Sequence, residues 1–111
     1  MVTAPPVRRG EVYLVDLNPT RGSEIRKTCP CVVVSPDELN RHLRAFIVAP
    51  LTSGTHTYPF RISCRFQRRA GYVVLDQVRT VDRARLVQRL GRLSSRTMSK
   101  ALSVLQAMFA P

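Results

Sequence analysis

Short β-branched runs closed off by turn formers constrain what this chain can fold into more than any other feature. Residues 11–17, 31–35, 46–48 and 72–75 are apolar stretches of strand length, and the continuous ones suit strands buried on both faces. Residues 60–66 alternate instead. Phe60, Ile62, Cys64 and Phe66 fall on one face and Arg61, Ser63 and Arg65 on the other, the pattern of a half-buried antiparallel strand. Alternate polar residues over 76–81 and strand pieces over 83–90 extend the series, with turns at Asn18-Pro19, Gly22 and 67–71. One segment has a clear helical period: Met98, Ala101, Leu102, Leu105, Met108 and Phe109 form a single stripe over 95–109, capped by Ser94 or Ser95. Ser35-Pro36-Asp37-Glu38 predicts a short helix over 36–43, with Ser35 as cap, Pro36 at the first helical position and Glu38 closing a capping box. The expectation is a mainly β domain: a small curled antiparallel sheet or barrel with one inserted helix and a C-terminal helix.

At 111 residues the chain is one domain, large enough to bury a core without disulfides or a structural metal. Residues 1–9, with two prolines and Arg8-Arg9, are predicted to be a flexible lead with solvated arginines, and 10–111 the single domain. No apolar run is long enough to cross a bilayer, and the N-terminus lacks the apolar segment of a signal peptide. A cytoplasmic location without membrane attachment is therefore expected. The 18 Lys and Arg against 7 Asp and Glu, net +11, point to nucleic acid, where phosphate neutralisation releases counterions, or to an acidic protein. Charge alone does not choose between them. Cys29, Cys31 and Cys64 are an odd set, expected to be free thiols. Cys29 and Cys31 fall on one face of a strand, but a C-x-C pair without a spaced His is a weak metal signal. No metal or other cofactor is expected, and the isolated His42 and His56 are assigned to the surface.

The polar connection 18–30 is long for a compact domain, and such loops are usually functional. Its one carboxylate, Glu24, lies among Arg21, Arg26 and Lys27. Two readings stand: a proton acceptor beside an anionic substrate, or a solvated basic loop. A second polar connection, 50–57, carries Thr52 and Ser53. If both connections meet at one rim, Glu24, Arg26, Thr52 and Ser53 share a pocket, with Asp76, Gln77 and Arg79 arriving from a later strand. That set has no His placed for a Ser–His–Asp hydrolase and no carboxylate cluster for Mg²⁺. A carboxylate, a cation and a hydroxyl around a phosphorus suit metal-free cleavage of RNA through its 2′-OH, a nucleophile DNA lacks.

Several motifs in order resemble one family. Arg-Gly-Glu-Val-Tyr-Leu-Val-Asp-Leu-Asn-Pro-Thr-Arg-Gly-Ser-Glu over 9–24 is similar to the opening of the MazF/PemK/Kid toxins. Pro30-Cys-Val-Val-Val-Ser-Pro, Asn40, Ala49-Pro-Leu-Thr-Ser, Tyr58-Pro-Phe and Asp76-Gln-Val-Arg-Thr-Val-Asp continue it. The resemblance implies an SH3-like barrel with a C-terminal helix, acting as a homodimer. It implies the toxin of a type II toxin–antitoxin module, an endoribonuclease that cuts single-stranded mRNA without metal at specific sequences. The products would be 2′,3′-cyclic phosphate and 5′-OH ends, and the inhibitor a cognate antitoxin with an acidic segment. A rival from another class is a binding-only toxin on the same barrel, of the gyrase-poisoning kind or a plain nucleic-acid binder.

Carried over by position, Thr52 matches the threonine that contacts the scissile phosphate and Glu24 the first-loop glutamate. Arg21, Arg26, Lys27, Ser53, Gln77 and Arg79 are the accompanying RNA-binding candidates. The family's catalytic arginine, immediately before the proline of its Arg-Pro motif, is Cys29 here. A thiol supplies neither the permanent charge nor the donor fork of a guanidinium. An attenuated or inactive ribonuclease is therefore expected.

Overall fold

The computed structural model describes residues 5–19, 22–23, 27–54 and 57–111. Among the described residues seven strands and two α-helices follow one another: β1 (Glu11–Asp16), β2 (Thr28–Val33), α1 (Asp37–Asn40), β3 (Ala45–Ser53), β4 (Arg61–Phe66), β5 (Arg69–Val74), β6 (Arg79–Asp82), β7 (Leu86–Arg92) and α2 (Ser95–Phe109). Every pairing is antiparallel, in the order β4-β5-β3-β2-β1-β7, with β6 also paired to β3. The mainly β, antiparallel architecture with a C-terminal helix is as expected, and of the curled sheet or barrel it is the open form, since the described strands do not close on themselves. Its edges β4 and β7 nevertheless approach each other. Gln67 Nε2 donates to Leu90 O at 3.3 Å, and a Cβ on Gly91 would lie in ordinary contact with the Phe66 ring at 3.4 Å.

The continuous apolar runs are buried on both faces, as their lack of alternation predicts. Val12, Val32, Val34, Ala49, Ile62, Val73 and Leu75 pack under α2, which contributes Met98 and Ala101. Val7, Tyr13, Val15, Leu17, Cys31, Val33, Phe46, Val48 and Val81 form a second cluster. Along β2 and β3 alternate residues go to alternate clusters, so one strand serves two cores. α2 matches its predicted span, and Ser94 Oγ accepts from Thr97 N at 3.2 Å as its cap.

Several local expectations are overturned by distant partners. Ser35 does not cap α1, whose N-cap is Pro36 without a side-chain cap bond. Ser35 Oγ instead donates to Asn40 Oδ1 at 2.6 Å and accepts from Ile47 N at 3.1 Å, while Asn40 Nδ2 donates to Ser35 O at 3.0 Å. Both residues are buried, so satisfying each other outweighs capping an exposed turn. α1 is accordingly shorter than 36–43. β2 begins at Thr28 because Asp16 pairs with it, and Pro30 takes a ladder place opposite Leu14. Phe60 lies outside β4 with φ +62° and is exposed. The predicted 67–71 turn contracts to Gln67 and Arg68, both in the left-handed region, with β5 resuming at Arg69. Residues 5–9 are tied to the sheet: Val7 is buried, Arg9 N donates to Asp37 Oδ1 at 2.7 Å and Arg9 Nε to Val34 O at 2.9 Å. Arg9 is thus not simply solvated.

Candidate functional site

A cleft of about 690 Å³ opens where β2, β3 and the β4–β5 hairpin meet. Cys29 and Pro30 form one wall, Leu51, Thr52 and Ser53 the floor, and Cys64, Phe66, Gln67, Arg69, Ala70 and Gly71 the other wall. Thr52 and Ser53 belong to β3 rather than to the polar connection predicted over 50–57, because they pair with Tyr72 and Gly71 of β5. Gly71 is required for that pairing. A Cβ there would fall 2.2 Å from Thr52 O, a distance no side chain tolerates, so glycine lets β5 lie close behind the Thr52 backbone. The Thr52 hydroxyl donates to Ser53 O at 3.2 Å.

The β2–β3 pairing ends with Cys31 opposite Pro50, and beyond it Cys29 and Thr52 line the same cleft. Cys29 is half-buried, and its Sγ lies 3.7 Å from the Sγ of the fully buried Cys31. The hydrogen bond from Cys31 lowers the Cys29 pKa below the ordinary thiol value, burial opposes this, and the Arg79 charge adds to it. Cys31 is pushed strongly upward by the same hydrogen bond and by burial. Cys64 is raised by burial. All three are free thiols, as expected.

Of the residues singled out in the sequence, Thr52, Ser53 and Cys29 share this cleft. Glu24, Arg21 and Arg26 lie outside the described residues. Lys27 is exposed with φ +67°. Asp76, Gln77 and Arg79 do not line the cleft, contrary to the pocket drawn from the sequence. Asp76 and Gln77 occupy a 3-10 turn over Leu75–Gln77, where Asp76 takes Arg61 in a bidentate pair at 2.8 and 2.9 Å. Arg79 Nη1 donates to Leu17 O at 3.3 Å. Arg85, not singled out in the sequence, donates from Nη1 to Asp16 O at 3.1 Å and to Asn18 O. These two arginines clamp the base of the first loop, since Leu17 N in turn takes Lys27 O at 3.1 Å. Among the described residues no group of three or more His, Cys, Asp or Glu is arranged to hold a metal ion. No helix among them is long and apolar enough to cross a membrane.

The model of the PemK-like, MazF-like toxin of type II toxin–antitoxin systems matches residues 8–109. The chain belongs to this family. Endoribonuclease PemK of Escherichia coli is 38% identical over 108 residues, covering 92% of this chain and 81% of that protein. Endoribonuclease MazF of Staphylococcus epidermidis is 33% identical over 98 residues, covering 83% and 82%. The structure of a mycobacterial endoribonuclease in complex with its cognate antitoxin superposes with a TM-score of 0.78 at 29% identity, over 97% of this chain and 98% of that one. The sheet order and the C-terminal helix are thus those of the MazF-like fold.

Proposed function

We propose that this chain is the endoribonuclease toxin of a type II module, cutting single-stranded RNA in the β2–β3–β5 cleft and held inactive by an acidic antitoxin. The observation that carries the reading is the meeting of Thr52, Ser53 and Cys29 around one opening in a chain of net charge +11. The Thr52 hydroxyl donates to a nonbridging oxygen of the scissile phosphate. Glu24 takes the 2′-OH proton, so that the ribose oxygen attacks phosphorus and the 5′-oxygen departs, taking a proton from water to leave a 5′-OH end beside a 2′,3′-cyclic phosphate. Ser53, with Arg21, Arg26 and Lys27 of the first loop, holds the flanking strand, and Arg69 adds charge at the cleft mouth. Gln77 and Arg79 act at one remove, Arg79 by bracing the loop base. The relatives named endoribonucleases and the neighbour bound to its cognate antitoxin support the same assignment. The homodimer is built with the apolar residues α2 leaves uncovered, Phe109 foremost at 72% exposure, and the toxin works in the cytoplasm, where mRNA is.

Cleavage is weakened because Cys29 stands where the family carries its catalytic arginine. Losing one oxyanion donor costs on the order of a hundred- to a thousandfold in rate. Primer extension on a long RNA with EDTA present, comparing wild type with Cys29→Arg, tests this. Discrete EDTA-resistant stops, faster by about that factor for Cys29→Arg, are expected, with none on single-stranded DNA of the same sequence. Equal rates would defeat the attenuation, and absence of cleavage by both proteins would defeat the ribonuclease reading.

A further inference from the structure

Cys29-Pro30-Cys31 does something no part of the RNA chemistry uses: it sets two thiols side by side, one reachable and one not. Their sulfurs are 3.7 Å apart, against about 2.05 Å in a disulfide. Residues two apart on a strand have Cα atoms about 6.6 Å apart, inside the span of about 4.4–6.8 Å that disulfides bridge. Closing the gap needs a small local bend. Pro30 supplies the place for it, since it has no N–H to give to the ladder where it faces Leu14. Cys29 lines the cleft while Cys31 is fully buried, so a dissolved reagent meets Cys29 first. The hydrogen bond from Cys31 and the Arg79 charge both favour the Cys29 thiolate, the form that attacks disulfides.

We propose that Cys29 and Cys31 form a thiol–disulfide exchange site for low-molecular-weight disulfides, with Cys29 the attacking sulfur and Cys31 the resolving one. The Cys29 thiolate attacks one sulfur of the disulfide, breaking its S–S bond. The departing thiolate takes up the proton Cys29 released. Cys31 then loses its proton and its sulfur attacks Cys29 Sγ, displacing the second small thiolate, which takes that proton. Two cysteine thiols are oxidised by two electrons to an intrachain disulfide, and one small disulfide is reduced to two thiols. The bridge removes a thiol from the wall facing Thr52, so the redox state of the pair reshapes the cleft. The site stands on the placement, burial and surroundings of the two sulfurs and does not depend on the ribonuclease reading.

The test incubates the full chain with glutathione disulfide, quenches with acid, alkylates remaining thiols with iodoacetamide and reads the mass. Trypsin cuts after Lys27 and Arg41, leaving both sulfurs in the peptide 28–41. Wild type is expected to end two hydrogens lighter in that peptide, without bound glutathione, and with Cys64 alkylated. Cys31→Ser is expected to keep one glutathione on Cys29, and Cys29→Ser to take none on Cys31. Mixed disulfide should form at Cys29 roughly tenfold faster than at Cys64. Peptide 28–41 alkylated twice in wild type, or wild type retaining glutathione on Cys29 as Cys31→Ser does, overturns the proposal. A bridge to Cys64 overturns it as well. Should Cys31→Ser fail to fold, the wild-type peptide still decides.

Discussion

Glu11 and Asp76 each take an arginine at hydrogen-bond distance, Arg89 Nε at 2.6 Å and Arg61 Nε at 2.8 Å. Their surroundings differ. Glu11 is 7% exposed, and its Oε1 also accepts from Arg8 N at 2.7 Å and from Tyr13 OH at 3.3 Å. The carboxylate therefore gathers the backbone at residue 8, the β1 strand and the β7 strand around one buried point. Burial, with Glu11 close by, raises the Tyr13 pKa and keeps the phenol a donor. The Asp76 side chain is 43% exposed; its bidentate partner Arg61 stacks 4.7 Å over the Tyr58 ring, and water screens the pair. The contrast teaches that N···O distance does not set the worth of an ion pair. What counts is how many donors depend on the same buried carboxylate.

The largest effect that could break this contrast is on Glu11. Glu11→Ala leaves the Arg8 N–H and the Tyr13 hydroxyl without their acceptor and should cost about 3 kcal/mol, read as a lower urea midpoint at unchanged slope. A loss below about 1 kcal/mol would put Glu11 in the same class as Asp76. Next comes Asp76→Asn, expected to cost less than about 1 kcal/mol by the same measurement, because both partners remain hydrated. Its pH dependence sharpens the comparison. Arg61 holds the Asp76 carboxyl below its ordinary range, so the pair's contribution is complete above the unfolded-state value of about 3.9. It is lost as the pH falls through the lowered folded value. The stability gap between wild type and Asp76→Asn should therefore narrow on acidification; a gap that widens would contradict the assignment. Smallest is the response to salt. Near 1 M NaCl, where screening acts over about 3 Å, the Asp76 gap should shrink by a few tenths of a kcal/mol while the Glu11 gap holds.

Legibility in the sequence follows the range of the interaction. The span of α2 was readable to the residue because its three–four stripe acts within a turn or two of the chain, while the choice of Ser94 over Ser95 as cap came from the structure. The cysteine pair was half readable: strand period places Cys29 and Cys31 on one face, while their unequal burial comes from the packing around Cys31. Gly71 reads in the sequence only as part of a turn; that it lets β5 lie close to Thr52 O is a tertiary fact. For the loop residues Glu24, Arg21 and Arg26 the sequence alone supplies the chemistry.

By itself the sequence determined the apolar centres of the strands and the span of the long helix, since β-branching and apolar period are properties of neighbouring residues. The ordered motifs likewise determined the family. Tertiary structure alone decided that Thr52 and Ser53 sit on a strand, that Ser35 serves Ile47 and Asn40 rather than a helix cap, and that Arg79 and Arg85 brace a loop. It decided also that β4 and β7 approach without pairing. Each of these is a competition for a hydrogen-bond partner far along the chain, and local sequence carries no record of which partner wins.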